Sequence, residues 1–194
     1  MSKAEKTKQF IVEKTAPIFN TKGYAGTSLS DMTEATGLTK GSIYGNFASK
    51  DDVALAAFEH NWKRISGLIR QEMEKRSTIK DKLLVYTEYD KLVISPVYTG
   101  GCPVLNTAIE ADDTHPILKK KANEAFNAWK DRITTLIEEG IRTKEFKAAT
   151  DPEQIALTII AMIEGSIMIS KLSGKPAYRN AIMISLKKLI DELS

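Results

Sequence analysis

Between Thr39 and Lys50 the chain carries hydrogen-bonding and cationic side chains at spacings that put them on one face of a short helix. Ile43 and Phe47 lie four apart and face inward, so Gly41, Ser42, Tyr44 and Gly45 face outward. Each outward glycine costs roughly 0.5–1 kcal/mol against alanine. Two of them make sense where a helix backbone must come close to something large. Lys40 and Lys50 bracket the stretch with positive charge, and Thr39, Ser42, Tyr44 and Asn46 supply neutral donors and acceptors. This combination suits a helix laid in a DNA major groove, with its first residues at base edges and its flanks on phosphates. Lys40 and Ser42 are the candidates for base contact, and Lys50 for phosphate contact.

The residues just before would position that helix. Ser28 is a good N-cap, with Asp31 three residues on as a variant capping box. Leu29, Met32, Thr33 and Thr36 then share one face. Gly37 falls where a helix ends in a left-handed residue, Leu38 plugs the turn, and Thr39 caps the next helix. Upstream, a first helix is expected from about Lys6 to Thr21, with Phe10, Ile11, Ile18 and Phe19 inward and Pro17 kinking it. Gly23-Tyr24-Ala25-Gly26 turns the chain into the pair.

The stretch GYAGTSLSDMTEATGLTKGSIYGNFASKDDV resembles the DNA-binding signature of the TetR family of bacterial transcriptional regulators. The likeness runs from about Phe10 to Phe58, a quarter of the chain, and departs from the family pattern at Met32-Thr33, Gly45 and Asn46. It implies an all-α protein: an N-terminal three-helix helix-turn-helix DNA-binding domain followed by a C-terminal helical ligand-binding and dimerisation domain. The expected boundaries are 1–50 and 51–194, with 51–76 as a connecting helix. The expected DNA-binding set is Ser28, Thr39, Lys40, Gly41, Ser42, Tyr44, Asn46 and Lys50. The implied partners are a double-stranded DNA operator, a second copy of the chain and a small-molecule effector. GGCPVLNTAIEADD also resembles ligand-domain segments in part of the family, where such a turn and helix border the effector cavity.

Charge placement agrees with a nucleic-acid partner. Residues 1–50 hold seven lysines against Glu5, Glu13, Asp31 and Glu34, so the whole net charge of +3 lies there and the remainder balances. With 42% hydrophobic and 27% charged residues, the 194-residue chain has an ordinary soluble composition. Its single cysteine allows no intramolecular disulfide, and MSKAEKTKQF is no signal peptide. A cytoplasmic protein is expected. The most apolar run, Ile155 to Ile169, is interrupted by Thr158, Glu164, Gly165 and Ser166. It falls short of the roughly 18–20 apolar residues of a membrane span.

The body reads as helices throughout. After Lys50 one long helix is acidic at its start and basic at its end, as the macrodipole favours. Ser77 or Thr78 caps a helix running to about Val93, before Ser95-Pro96. PVLNTAIEADD forms a short helix after Cys102. Thr114 caps a long one carrying Leu118, Ala122, Ala125, Trp129, Ile133 and Leu136. Asp151-Pro152 begins the next, and Lys175-Pro176 precedes a last helix with Ile182, Leu186, Leu189 and Ile190. The Asp151–Leu172 segment is apolar almost all round, so a second subunit is expected to cover one side, joined by Met183, Leu186, Leu189 and Ile190.

Other residues carry side chains that could do chemistry. Cys102 before a helix start would suit a stabilised thiolate, which makes a redox-responsive repressor without a small-molecule ligand the alternative. His60 and His115 show no nucleophile–base–orienter spacing, so no enzyme is expected. Glu110, Asp112, Asp113 and His115 read as capping and solvation at a helix end, so no metal site or cofactor is expected. The expected effector-contacting residues are Trp62, Tyr86, Cys102, Asn106, Phe126, Trp129 and Met162. Neutral aromatic walls would favour a hydrophobic or aromatic small molecule, with Asn106 as its polar partner.

Overall fold

The computed structural model describes residues 2–89 and 100–194, and among these there is no strand. Two compact units form, one from Met1–Ile65 with Ser95–Asn123 and the other from Ser66–Ile94 with Glu124–Ser194.

The first unit opens with α1 (Lys3–Gly26), capped by a reciprocal pair in which Ser2 and Glu5 each accept from the other's backbone N–H. Helical dihedrals run unbroken through Pro17 and break instead at Gly23, whose φ of 74° and ψ of 177° leave the helical region. The buried face of α1 is Ile11, Val12, Thr15, Ala16, Phe19 and Asn20. Phe10, expected inside, is 38% exposed, because Val12 and Ala16 lie on the stripe that faces the other helices. Helix α2 (Leu29–Thr36) packs on α1 and contacts α3 (Lys40–Tyr44). Met32, Ile43, Phe47, Val53, Ala54 and Ala57 close over Ile11 and Phe19 as one core, with Leu29 and Leu38 packed at its edge.

Helix α4 (Lys50–Glu74) starts with Asp51 and Asp52, which suit the positive end of the dipole. Its last turn holds no basic residue, contrary to expectation, because the helix ends before Lys75 and Arg76. The chain passes from one unit to the other within α4.

In the second unit, α5 (Ile79–Leu84) is capped by Thr78, and a 3-10 turn follows at Val85–Glu88. The rest of that expected helix, to Val93, and the Ser95-Pro96 break lie outside the described residues. Next come α6 (Pro103–Ala111), which belongs to the first unit, and α7 (Pro116–Arg142), in which the chain crosses again. Thr114 does not cap α7. Its hydroxyl donates to the Glu110 carbonyl (2.5 Å), while the His115 ring nitrogen accepts from Leu118 N–H (3.2 Å).

Asp151 caps α8 (Pro152–Ser173) by accepting from Gln154 N–H, and α9 (Pro176–Asp191) packs against it. Met183, Leu186 and Ile190, expected at a subunit seam, belong to this unit's own core, and so does Ile163. The apolar surface left open is another set: Leu157, Met168 and Leu172 on α8, with Tyr178 and Ile184 on α9. Despite its polar interruptions, α8 reaches the length and mean hydropathy (1.8) of a membrane-spanning helix. Ser166 lies fully buried within it, and Glu164 is half-buried.

Candidate nucleic-acid interface

The expected reading surface is built from two capped helices and the turn between them. Ser28 accepts from Asp31 N–H (3.1 Å) while Asp31 accepts from Ser28 N–H (2.8 Å) and hydroxyl (2.8 Å). Lys22 adds an ion pair to Asp31 at 2.6 Å. The Lys22 bond comes first, followed by the Ser28 amide and hydroxyl, and together they hold the Asp31 carboxyl far below the usual carboxylate range. Gly37 takes the left-handed conformation (φ 67°) that ends α2, and its N–H donates to the Thr33 carbonyl.

Thr39 caps α3, accepting from Ser42 N–H and donating to the Ser42 hydroxyl, both at 3.2 Å. Asn46 donates its side-chain amide to the Ser42 carbonyl (2.9 Å), closing the far end of the helix. Ile43 is fully buried; Thr39, Lys40, Gly41, Ser42 and Gly45 are exposed and Tyr44 and Asn46 half-exposed. The outward face is therefore the one the spacing requires. A side chain at Gly41 would meet nothing closer than the Thr39 hydroxyl at 3.9 Å, so the surface there is open as well as smooth.

Lys50 rests on Tyr24, a residue of the turn for which the sequence implies no part in the DNA-binding set. Its ammonium lies over the ring of Tyr24, and the Tyr24 hydroxyl donates to Asp51. That bond first, then burial, pushes the Tyr24 phenol up to about 12. The His115 ring meets Tyr24 edge-on at 4.5 Å and approaches the Asp51 carboxylate at 3.6 Å. The only local signal was Tyr24 itself, an aromatic residue inside a glycine-bounded turn.

The candidate effector residues divide between the units. Trp62, Cys102 and Asn106 fall in the first, and Tyr86, Phe126, Trp129 and Met162 in the second. Asn106 does not offer its amide to a ligand, because both Asn20 (2.9 Å) and Gly100 (2.8 Å) backbone carbonyls accept from it. Cys102 is wholly buried, an environment that suits an inert structural thiol and disfavours the redox alternative. In the second unit Trp129 stacks on Tyr89 with ring centroids 6.1 Å apart and lies tilted 6.2 Å from Tyr86. Burial raises the Tyr86 phenol above its ordinary value. Phe126 and Met162 are half-buried. Glu110 and His115, weighed for a metal, are engaged with backbone amides instead.

Comparison with known proteins covers most of the chain. Residues 11–57 match the family described as "Bacterial regulatory proteins, tetR family", and residues 81–186 match "Tetracyclin repressor-like, C-terminal domain". A TetR-family transcriptional regulator from Cytophaga hutchinsonii superposes with a TM-score of 0.96 at 48% identity, covering 100% of this chain and 98% of that one. A TetR transcriptional regulator from Chloroflexus aurantiacus J-10-FL gives 0.92 at 34% identity, covering 99% and 98%. The transcriptional repressor DhaR of Mycobacterium sp. (strain GP1) is 25% identical over 165 residues, 85% of this chain and 82% of its own length.

Proposed function

Because this chain belongs to the TetR family of bacterial transcriptional regulators, we propose that it is a homodimeric repressor released from a palindromic operator by a small molecule. The observation that carries the reading is the outward face of α3. Lys40, Gly41 and the hydroxyls of Ser42 and Tyr44 stand on a helix that Ile43 locks into the core, with Gly45 at its C-cap and buried Phe47 just beyond its end. Such a face admits the backbone close to base edges. Two copies would place two of these helices in successive major grooves, about 34–36 Å apart. The open apolar residues of α8 and α9 supply the surface for a second copy. Effector binding would favour a body conformation in which the two reading helices no longer match that spacing, so DNA affinity falls by population shift.

Within the second unit, Tyr86, Phe126 and Trp129, with Met162 on α8, remain the effector candidates. They favour an uncharged aromatic or hydrophobic molecule. The protein would act in the cytoplasm. Selection of bound duplexes from a random pool tests the reading: a palindrome is expected, and no enriched sequence would end it. Fluorescence of Trp62 and Trp129, the only two tryptophans, reports the effector, with quenching by an aromatic compound that also dissociates the selected duplex.

A further inference from the structure

Helix α6 and the turn before it reach back onto the end of α1, and they do so through backbone groups. Asn20 donates its side-chain amide to the Gly101 carbonyl (3.1 Å), and Asn106 donates to the Asn20 carbonyl. One turn later the Glu110 carboxylate accepts from two consecutive amides, Tyr24 N–H (2.7 Å) and Ala25 N–H (2.8 Å). The contact sits at the break in α1. A β-carbon at Gly23 would lie 2.4 Å from the Glu110 carboxylate, and its φ of 74° disfavours one in any case.

The residues held in this way lead directly into the reading surface. Thr27, fully buried, donates its hydroxyl to the Gly23 carbonyl (2.6 Å), and Ser28 next to it caps α2. Tyr24 supports Lys50 and Asp51 at the start of α4. A carboxylate on two adjacent N–H groups is a charge-assisted, two-point contact and fixes direction as well as distance. Glu110 therefore governs where the chain leaves α1, although it lies beyond residues 11–57 and within the match to the C-terminal domain.

We propose that Glu110 is a positioning residue for DNA reading, acting on the α2–α3 pair through its hold on the Tyr24 and Ala25 amides. This rests on the DNA-binding reading above. It differs from a merely structural role because it concerns discrimination between sequences, which needs α3 accurately placed, more than attraction to phosphate, which does not.

The test begins with the wild-type chain selecting a duplex from a random pool. Glu110→Gln and Glu110→Asp are then compared on that duplex and on a scrambled one of equal length, at several salt concentrations. Gln replaces one acceptor oxygen by a donor facing an N–H, and Asp keeps the charge but is one methylene too short. The expected result is a loss on the order of tenfold on the selected duplex, the scale of one charge-assisted bond, with the scrambled duplex and the salt slope unchanged. Hydrogen exchange without DNA gives a second reading, and serves if Glu110→Gln melts too early for binding assays. Faster exchange in Glu110→Asp from Tyr24 through Thr36 supports the proposal. Equal loss on both duplexes overturns it, as does unchanged discrimination with faster exchange confined to Tyr24 and Ala25. If the wild type selects no duplex at all, the DNA-reading premise fails; if it does and the variants discriminate as well, only the positioning role fails.

Discussion

The ammonium of Lys50 lies 4.3 Å above the centre of the Tyr24 ring, one residue past the Gly23 kink in α1. A lysine resting on an aromatic face is pre-oriented, so less conformational freedom remains to be lost when it meets a phosphate. Lys50→Ala is expected to weaken every duplex alike and to flatten the salt dependence by about one unit. Filter binding across a salt series measures this, and an unchanged slope would remove the phosphate role.

Gly41 separates the demands of folding from those of DNA. Space around it is open in the protein, so Gly41→Ala is expected to raise stability by roughly 0.5–1 kcal/mol through the gain in helix propensity. On the proposed reading the added methyl group stands where bases would approach, so operator affinity should fall. A higher melting temperature with weaker binding is the expected pair; tighter or unchanged binding would place DNA elsewhere.

The proposed subunit surface can be separated from the core by two sets of charges. Met168→Glu and Ile184→Glu, on open positions of α8 and α9, are expected to give a helical monomer in light scattering. Ile163→Glu and Leu186→Glu, at 1% and 0% exposure, should unfold the unit, since an unpaired buried charge costs several kcal/mol. A dimer that survives both surface changes would rule out this face.

Trp129 is buried against the rings of Tyr86 and Tyr89. Trp129→Ala is expected to lose about 3–5 kcal/mol in urea unfolding, as for a large side chain removed from a close-packed interior. A small loss accompanied by lost response to an aromatic effector would instead mark a cavity wall.

Asp31 sets an acid limit on the head. Its carboxyl is held below its ordinary 3.8 by Lys22 and Ser28, so the unfolded chain takes up a proton first as pH falls. The stabilisation is complete above 3.8 and is lost as pH drops through the lower, folded value. Asp31→Asn is expected to be less stable at neutral pH and to show a shallower loss on the acid side, followed by circular dichroism.

Local signals were enough for much of the fold. Ser28, Thr39 and Asp151 cap the helices their chemistry announces, and Gly37 and Gly23 stand at breaks that side chains would resist. Errors arose where distant packing decides. Phe10 and Val12 are equally apolar, and only the neighbouring helices select Val12 for the inside. Pro17 removes one donor without breaking α1, whose backbone leaves helical dihedrals only at Gly23. Asn106 was legible as a polar group needing partners, but those partners lie 86 and 6 residues away in sequence. Glu110 resembled a solvated helix end for the same reason.

That Glu110 meets amides near a break 86 residues earlier bears on how such regulators could be recombined. A chimaera joined just after Lys50 would carry the DNA-reading helices but leave their carboxylate strut in the discarded parent. Two N–H groups at Tyr24 and Ala25 would then depend on whatever the new body offers at the corresponding place. If Glu110 has the positioning role proposed for it, a foreign body compatible with this head would need an acid placed to meet the amides beside Gly23, a requirement that the splice itself does not meet.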